Sequence, residues 1–163
     1  MSFFLFCAAG VLAGIVAEYW VHRLQHARIL HTDEHAFHHL ANESYGVWHE
    51  FAAYMRIGIV PMIVAVGFVG CVAGALAVFG LCVGLVGFFA FVAFTHEVYH
   101  TDENLVFWVD RPIHHFHHAK NQWKHNFAFT NTLMDRLFGT FLDDPTWSRK
   151  PVRLRELLKV RWL

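Results

Sequence analysis

The sequence predicts an all-α, polytopic membrane protein: about three transmembrane helices and a histidine-rich helical metal site on the cytoplasmic side. Three observations predict it. The 163-residue chain is 56% apolar, above the roughly 45–50% of soluble domains. Its charges are segregated, with no Lys or Arg before Arg23 and none between Arg56 and Arg111. Ten histidines recur at spacings that place them on shared helix faces.

The apolar stretch 2–21 lacks the basic n-region of a cleavable signal peptide and runs straight into His22, so a retained span is expected there. From Ile57 to Thr95 no residue is charged. One straight helix of that length would reach about 58 Å, against a bilayer core of about 30 Å. Two spans folded into a hairpin, about 57–75 and 78–97, are expected, with the turn among the glycines of Gly70 to Gly80. The whole chain, 1–163, reads as a single membrane-embedded domain. Asp110-Arg-Pro112 is expected to start a helix that opens into the last histidine cluster, since Pro is tolerated in a first turn. The tail 151–163 alternates basic and apolar residues. It fits either an amphipathic helix lying on anionic lipid or a surface helix packed on the domain.

The histidines form four boxes: His22-Arg-Leu-Gln-His26, His35-Ala-Phe-His38-His39, His96-Glu-Val-Tyr-His100 and His114-His115-Phe-His117-His118. On a helix, i and i+4 point two imidazoles the same way, and His-x-x-His-His adds a third. Imidazole suits Fe, Zn, Cu and Ni, and an octahedral ion takes about six ligands. Ten imidazoles overfill one ion and suit two. The expected metal ligands are His22, His26, His35, His38, His39, His96, His100, His114, His117 and His118. His31 is a secondary candidate, four residues before His35. His115 points about 100° away from His114 on a regular helix, His125 is a candidate hydrogen-bond partner for a ligand, and His49 has no partner at ligand spacing. Glu18, one turn before His22 and inside an apolar span where charge is costly, is expected to support a ligand from behind. Glu97, Asp102 and Asp110 are expected to be solvated or to cap helices.

Span parity places all four boxes together. The first span delivers the first two boxes, and the hairpin leaves that side and returns to it at His96. The basic residues supply an independent check: all thirteen Lys and Arg fall in segments on the histidine side, which the positive-inside rule makes cytoplasmic. The three cysteines, Cys7, Cys71 and Cys82, lie in apolar stretches away from the boxes. They read as buried thiols rather than as disulfides or metal ligands.

The four boxes, followed by Asn126-Phe-Ala-Phe-Thr-Asn-Thr-Leu-Met-Asp135-Arg136-Leu137-Phe138-Gly139-Thr140, resemble the fatty acid hydroxylase and sterol desaturase superfamily of membrane-bound histidine-box di-iron enzymes. The resemblance covers about His22 to Thr140. Met134 stands where that family usually carries Trp. In size and in the short His26–His35 spacing the chain is similar to bacterial carotene hydroxylases. In its closing motif it is similar to the sterol and fatty acid branch. The resemblance implies two Fe ions held by histidine (Zn being possible in isolated protein), O2 as co-substrate, and hydroxylation or desaturation of a fatty acyl chain or sterol, hydroxylation being favoured. A carotenoid ring hydroxylase is the alternative it admits. A non-catalytic membrane haem or metal-binding protein is the alternative of another class. Since no nucleotide-binding glycine fingerprint is present, a separate ferredoxin, cytochrome or reductase is expected to supply electrons, with Lys120, Lys124 and Arg136 as a docking or lipid-headgroup patch. No nucleic-acid partner is expected. Phe88, Phe89, Phe91 and Phe94 are expected either to line a lipid path to the metal site or to pack as core.

Overall fold

A computed structural model describes residues 2–30, 32–120, 122–152 and 154–163. Its helices in chain order are α1 (Ser2–His26), α2 (Asp33–Ala41), α3 (Val47–Ala73), α4 (Ala75–Thr101), α5 (Ile113–Ala119) and α6 (Leu133–Leu137), with 3-10 turns at Glu103–Leu105 and Leu154–Lys159. No strand occurs among the described residues. Three helices, α1, α3 and α4, are long and apolar enough to cross a bilayer.

These helices overrun the apolar stretches that foreshadow them. α1 continues without a break through His22 to His26, so the first box rides on the span itself rather than following it. α3 begins at Val47, well ahead of Ile57, and α4 carries His96 and His100 in its last turns. The hairpin turns at Gly74, whose φ of +80° suits glycine.

α1 and α4 run parallel and touch along their backbones. Gly10 and Gly14 on α1, and Gly80 and Gly84 on α4, form two facing Gly-x-x-x-Gly stripes. A Cβ on Gly10 would lie 2.6 Å from the Leu81 carbonyl oxygen; one on Gly84 would collide with the Cys7 carbonyl, and one on Gly80 with the Phe3 carbonyl. Small residues permit such approach between membrane helices, where packing rather than the hydrophobic effect drives association. Among the long helices α3 packs chiefly against α4. α1 and α3 therefore flank α4 and leave a cleft between themselves.

Thr32 caps α2 by accepting the His35 N–H at 3.3 Å, and Asn42 ends it in the left-handed region at φ 53°. α5 starts at Ile113, directly after Pro112. Among the described residues the tail holds a 3-10 turn and no α-helix. Its 3-10 turn packs through Leu157, and Val160 is buried in the core. The carbonyls of Arg161 and Trp162 accept the N–H groups of Val47 (2.9 Å) and Trp48 (3.1 Å). A helix start leaves such donors without intrahelical partners, and the tail supplies them. Arg153 lies outside the described residues.

Candidate metal centre

The structure gathers the ten expected ligand histidines, on the last turns of α1 and α4 and on α2 and α5, in two sets. The ligand atoms of His22, His26, His35 and His39 lie within 4.8 Å of one another, as do those of His38, His100, His114 and His118. His117 joins the first set, its Nε2 being 2.9 Å from that of His26. His96 joins the second, its Nε2 being 3.1 Å from that of His38. The helical pitch explains the division. The α1 pair serves one set and the α4 pair the other. Each His-x-x-His-His box splits: α2 gives His35 and His39 to the first set and His38 to the second, whereas α5 gives His117 to the first and His114 and His118 to the second.

Protons alone cannot satisfy this arrangement. His22 Nδ1 donates to the Phe127 carbonyl (2.7 Å), His38 Nδ1 to Glu43 (2.6 Å) and His117 Nδ1 to His125 (2.7 Å). A neutral imidazole has one N–H, so these three present bare Nε2 lone pairs inward. His26 Nε2 meets four others, on His22 (3.1 Å), His39 (3.1 Å), His35 (3.2 Å) and His117 (2.9 Å), and one proton can bridge to only one of them. Both ring nitrogens of His114 and of His118, and Nε2 of His100, are buried without a hydrogen-bond partner. Buried polar atoms are normally paired. Converging lone pairs on neutral imidazoles are what a divalent cation binds, and the donor set fits two ions.

Burial keeps these rings neutral. It lowers the pKa of His35 to about 2, of His38 to about 4 and of His117 to about 3, with neighbouring imidazoles adding to the shift, and pushes His39, His114 and His118 down as well. These values lie below the ordinary 6.5, so on acidification the unfolded chain takes up protons before the folded one does. In metal-free protein, stability is expected to be level above pH 6.5 and to fall as the pH drops from 6.5 toward about 4. Thermal unfolding in detergent across that window checks this; a midpoint that holds or rises on acidification contradicts it.

The closing motif shapes the loop that orients the rings. Asp135, fully buried, accepts the N–H groups of Phe127 (2.9 Å) and Ala128 (2.9 Å) and the Thr140 hydroxyl (2.8 Å). The Asn126 side chain pairs with both backbone groups of Leu142, at 2.8 and 3.0 Å. These bonds hold the His125 and Phe127 carbonyls where His117 and His22 donate. Met134 is buried beside Tyr19, Ile113 and Phe127. Asp135→Asn would turn one acceptor into a donor facing a backbone N–H. At about 1.5–3 kcal/mol per charged hydrogen bond, a loss near 3 kcal/mol is expected. A thermal midpoint equal to wild type would refute this role.

The expectations for Glu18, Glu97 and the cysteines are corrected: Cys7 and Cys82 are only half-buried and Cys71 is exposed. Among the described residues Glu18 makes no hydrogen bond to a histidine: it accepts the N–H of Phe129, that of Thr130 (2.8 Å) and the Thr130 hydroxyl (2.7 Å). Its support reaches the rings only through Phe129, whose ring centroid lies 4.8 Å from that of His22 and 4.4 Å from that of His114. Glu97 is buried rather than solvated and accepts the Gly46 N–H at 3.0 Å, tying α4 to the start of α3. Asp102 caps the first 3-10 turn, and Asp110 pairs with Arg136 at 3.2 Å. Glu50, which the sequence reading missed, is buried with its carboxylate 3.3 Å from His96 Nδ1; lying outside any box, it shows only as a carboxylate in the first turn of α3. His125 serves through its carbonyl, not its ring. His115 turns toward Glu103 at 3.9 Å, and His49 is exposed against Tyr45. His31 lies outside the described residues. Lys120 pairs with Asp144 (3.3 Å) and Arg136 with Asp110, while Lys124 is exposed.

A cavity of about 750 Å³ occupies the cleft between α1 and α3, over α4. His22, His35, His38, His96 and His114 line one end, and Ala13, Met62, Ala65, Leu81 and Leu85 line the other. Of the four phenylalanines before His96, only Phe89 lines it. Phe88 is buried in the core, and Phe91 and Phe94 pack on Trp108. The arrangement places paired cation sites beside an apolar, membrane-depth chamber.

No curated protein and no solved structure matches the chain. A family model described as fatty acid hydroxylase matches residues 7–140, from α1 through all four boxes to the last residue of the closing motif. With three apolar spans and a histidine cluster, this is a membrane oxidoreductase of the lipid hydroxylase and desaturase type, and the chain belongs to the fatty acid hydroxylase family.

Proposed function

We propose that the protein is an O2-dependent di-iron lipid oxygenase, hydroxylating or desaturating a fatty acyl chain or a sterol. The observation that carries this reading is the pair of five-histidine sets opening onto an apolar cavity. His22, His26, His35, His39 and His117 would hold one iron, and His38, His96, His100, His114 and His118 the other. The pair would supply the oxidising power that an unactivated C–H bond demands: with O2, two electrons and two protons, either one oxygen atom would enter the substrate and the other leave as water, or two hydrogens would be removed and both oxygen atoms leave as water. The chain's own contribution is to fix the ligands, through the carbonyls of Phe127, Glu43 and His125, and to exclude water from the reacting carbon.

The thirteen Lys and Arg on the histidine side support a cytoplasmic metal site. There a separate ferredoxin, cytochrome or reductase would deliver the electrons. Exposed Lys124 is a contact for such a donor.

Two measurements test the reading. Purified protein is expected to hold about two irons per chain, or zinc in their place, and to show no Soret band; a Soret band would instead mark a haem protein. Lipid extracts of cells expressing the chain are expected to gain a hydroxylated or desaturated acyl lipid or sterol. Polar carotenoids appearing in a carotenoid-producing host, with acyl lipids unchanged, would reassign the substrate. Unchanged lipids in a metal-loaded strain with reductant would defeat the oxygenase reading.

A further inference from the structure

We infer that α6 is a membrane anchor: Leu133, Leu137 and Phe138 seat in the boundary between acyl chains and headgroups on the histidine side of the bilayer. This goes beyond the oxygenase reading and does not depend on it.

The three side chains are exposed, Leu133 by 61%, Leu137 by 70% and Phe138 by 41%. Leu133 and Leu137 stand four apart on α6 and so share a face, while Met134 and Asp135 are buried in the protein. A contiguous apolar patch on a surface marks an interaction site, and its surroundings say what covers it. α6 packs on α1. The Phe138 ring stacks on that of Tyr19 at 5.2 Å and meets Trp20 edge-on at 5.1 Å. Trp20 closes the outward stripe Leu12, Val16, Trp20, whose members recur every four residues along the span. The surface that α1 turns to lipid therefore continues onto α6. Aromatic rings concentrate at that depth of a bilayer.

The charged groups lie at the rim of the patch. Arg23, three residues past Trp20, holds its guanidinium 5.3 Å from the Trp20 ring and donates to the Tyr19 hydroxyl at 2.7 Å. Arg136 lies about 100° around α6 from Leu137 and pairs with Asp110 at 3.2 Å. Long basic side chains lay their stems on apolar surface and keep their heads in water. These two hold α6 in the interface and out of the hydrocarbon core. The seat itself is apolar, so hydrocarbon burial rather than headgroup charge drives the contact.

The main chain of the segment suits such a boundary. Backbone groups that leave water need partners within the protein. The Asn131 side chain accepts the Leu133 N–H at 2.9 Å. The N–H groups of Arg136 and Phe138 go to the carbonyls of Thr132 (3.0 Å) and Met134 (3.0 Å), and those of Thr140 and Phe141 both go to Asp135 (2.8 and 3.0 Å). The segment can meet lipid without stranding these donors. On its inner face Asp135 accepts the N–H of Phe127 at 2.9 Å, and the Phe127 carbonyl accepts from His22 at 2.7 Å. α6 thus ties the bilayer surface to the loop that orients a candidate ligand.

Site-specific photocrosslinking tests the anchor. The photoreactive residue p-benzoylphenylalanine replaces Leu133 or Leu137, one at a time, in the full chain reconstituted in nanodiscs of dioleoylphosphatidylcholine. Two exposed positions guard against loss of either variant to misfolding. Leu12, in the α1 stripe, is the lipid-facing reference, and Thr146, beside the Lys120–Asp144 ion pair, is the water-facing one. Intact-mass spectrometry after irradiation is expected to find phospholipid adducts at 133 and 137 in a yield like that at Leu12, and none at Thr146. Absence of adduct at 133 and 137 with labelling at Leu12 overturns the anchor. A covalent dimer in place of the lipid adduct also overturns it, and makes the patch a contact between two copies of the chain. Absence of adduct at Leu12 removes the lipid-facing stripe on which the inference stands, and the inference with it.

Discussion

His26→Ala is expected to abolish lipid oxidation and to empty the first histidine set. His26 Nε2 is the hub of that set, within 3.2 Å of the Nε2 atoms of His22, His35, His39 and His117. Loss of a group that merely supports a metal ligand typically costs 10–100-fold, so removal of the central ligand should cost at least about 100-fold in product formation and about half the bound metal. The second set, built on α4 and on other members of α2 and α5, should keep its ion. His49→Ala is the matched control. Exposed against Tyr45 and belonging to neither set, it should retain full metal content. Elemental analysis beside product quantification decides the matter. Wild-type metal and activity in His26→Ala would show that the first set is no metal site. Equal loss of both ions would show that the two sets are one cooperative site.

Gly84→Leu is expected to prevent α1 from docking on α4, with a loss of folded protein rather than a change in chemistry. Overfilling a packed interior costs about 1–3 kcal/mol when side chains can move aside. Here the obstacle is the Cys7 carbonyl and the Gly10 Cα, which are backbone, so the cost should reach about 3 kcal/mol or more. Gly87, one turn along α4, has nothing within 4 Å of a Cβ, and Gly87→Leu should be tolerated. The yield of monodisperse protein on size-exclusion chromatography, together with its thermal midpoint, compares the two. Equal behaviour would mean that the glycine stripes do not set the helix separation. Because α1 and α4 carry two of the four boxes, this contact also fixes the distance between the two metal sets.

Spacing made the clustering of the histidines readable. His22 and His26, like His96 and His100, sit four apart on helices, where geometry alone puts them on one face. Span parity then required the boxes to meet, because an even number of crossings separates them. The facing Gly-x-x-x-Gly stripes were equally open to reading from spacing, but histidine spacing and hydropathy carry no information about them. The acidic residues misled for a different reason. Glu18 lies one helical turn from His22, and proximity along a helix suggested support for that ring. Its carboxylate instead turns to the Phe129–Thr130 loop, more than a hundred residues away in sequence. Glu50 belongs to no box, so nothing local singled it out.

The sequence by itself determined the three helices long and apolar enough to cross a membrane, the single end at which the histidines gather, and the ten imidazoles that cluster there, since hydropathy and helical period are local properties of the chain. Only the tertiary structure decided how each His-x-x-His-His box divides between two sets, which carbonyl orients which ring, and that the cavity is polar at one end alone. Those outcomes depend on the rotation and separation of helices distant in sequence, which are set where α1 meets α4 backbone to backbone and where the 126–130 loop folds onto Glu18 and Asp135.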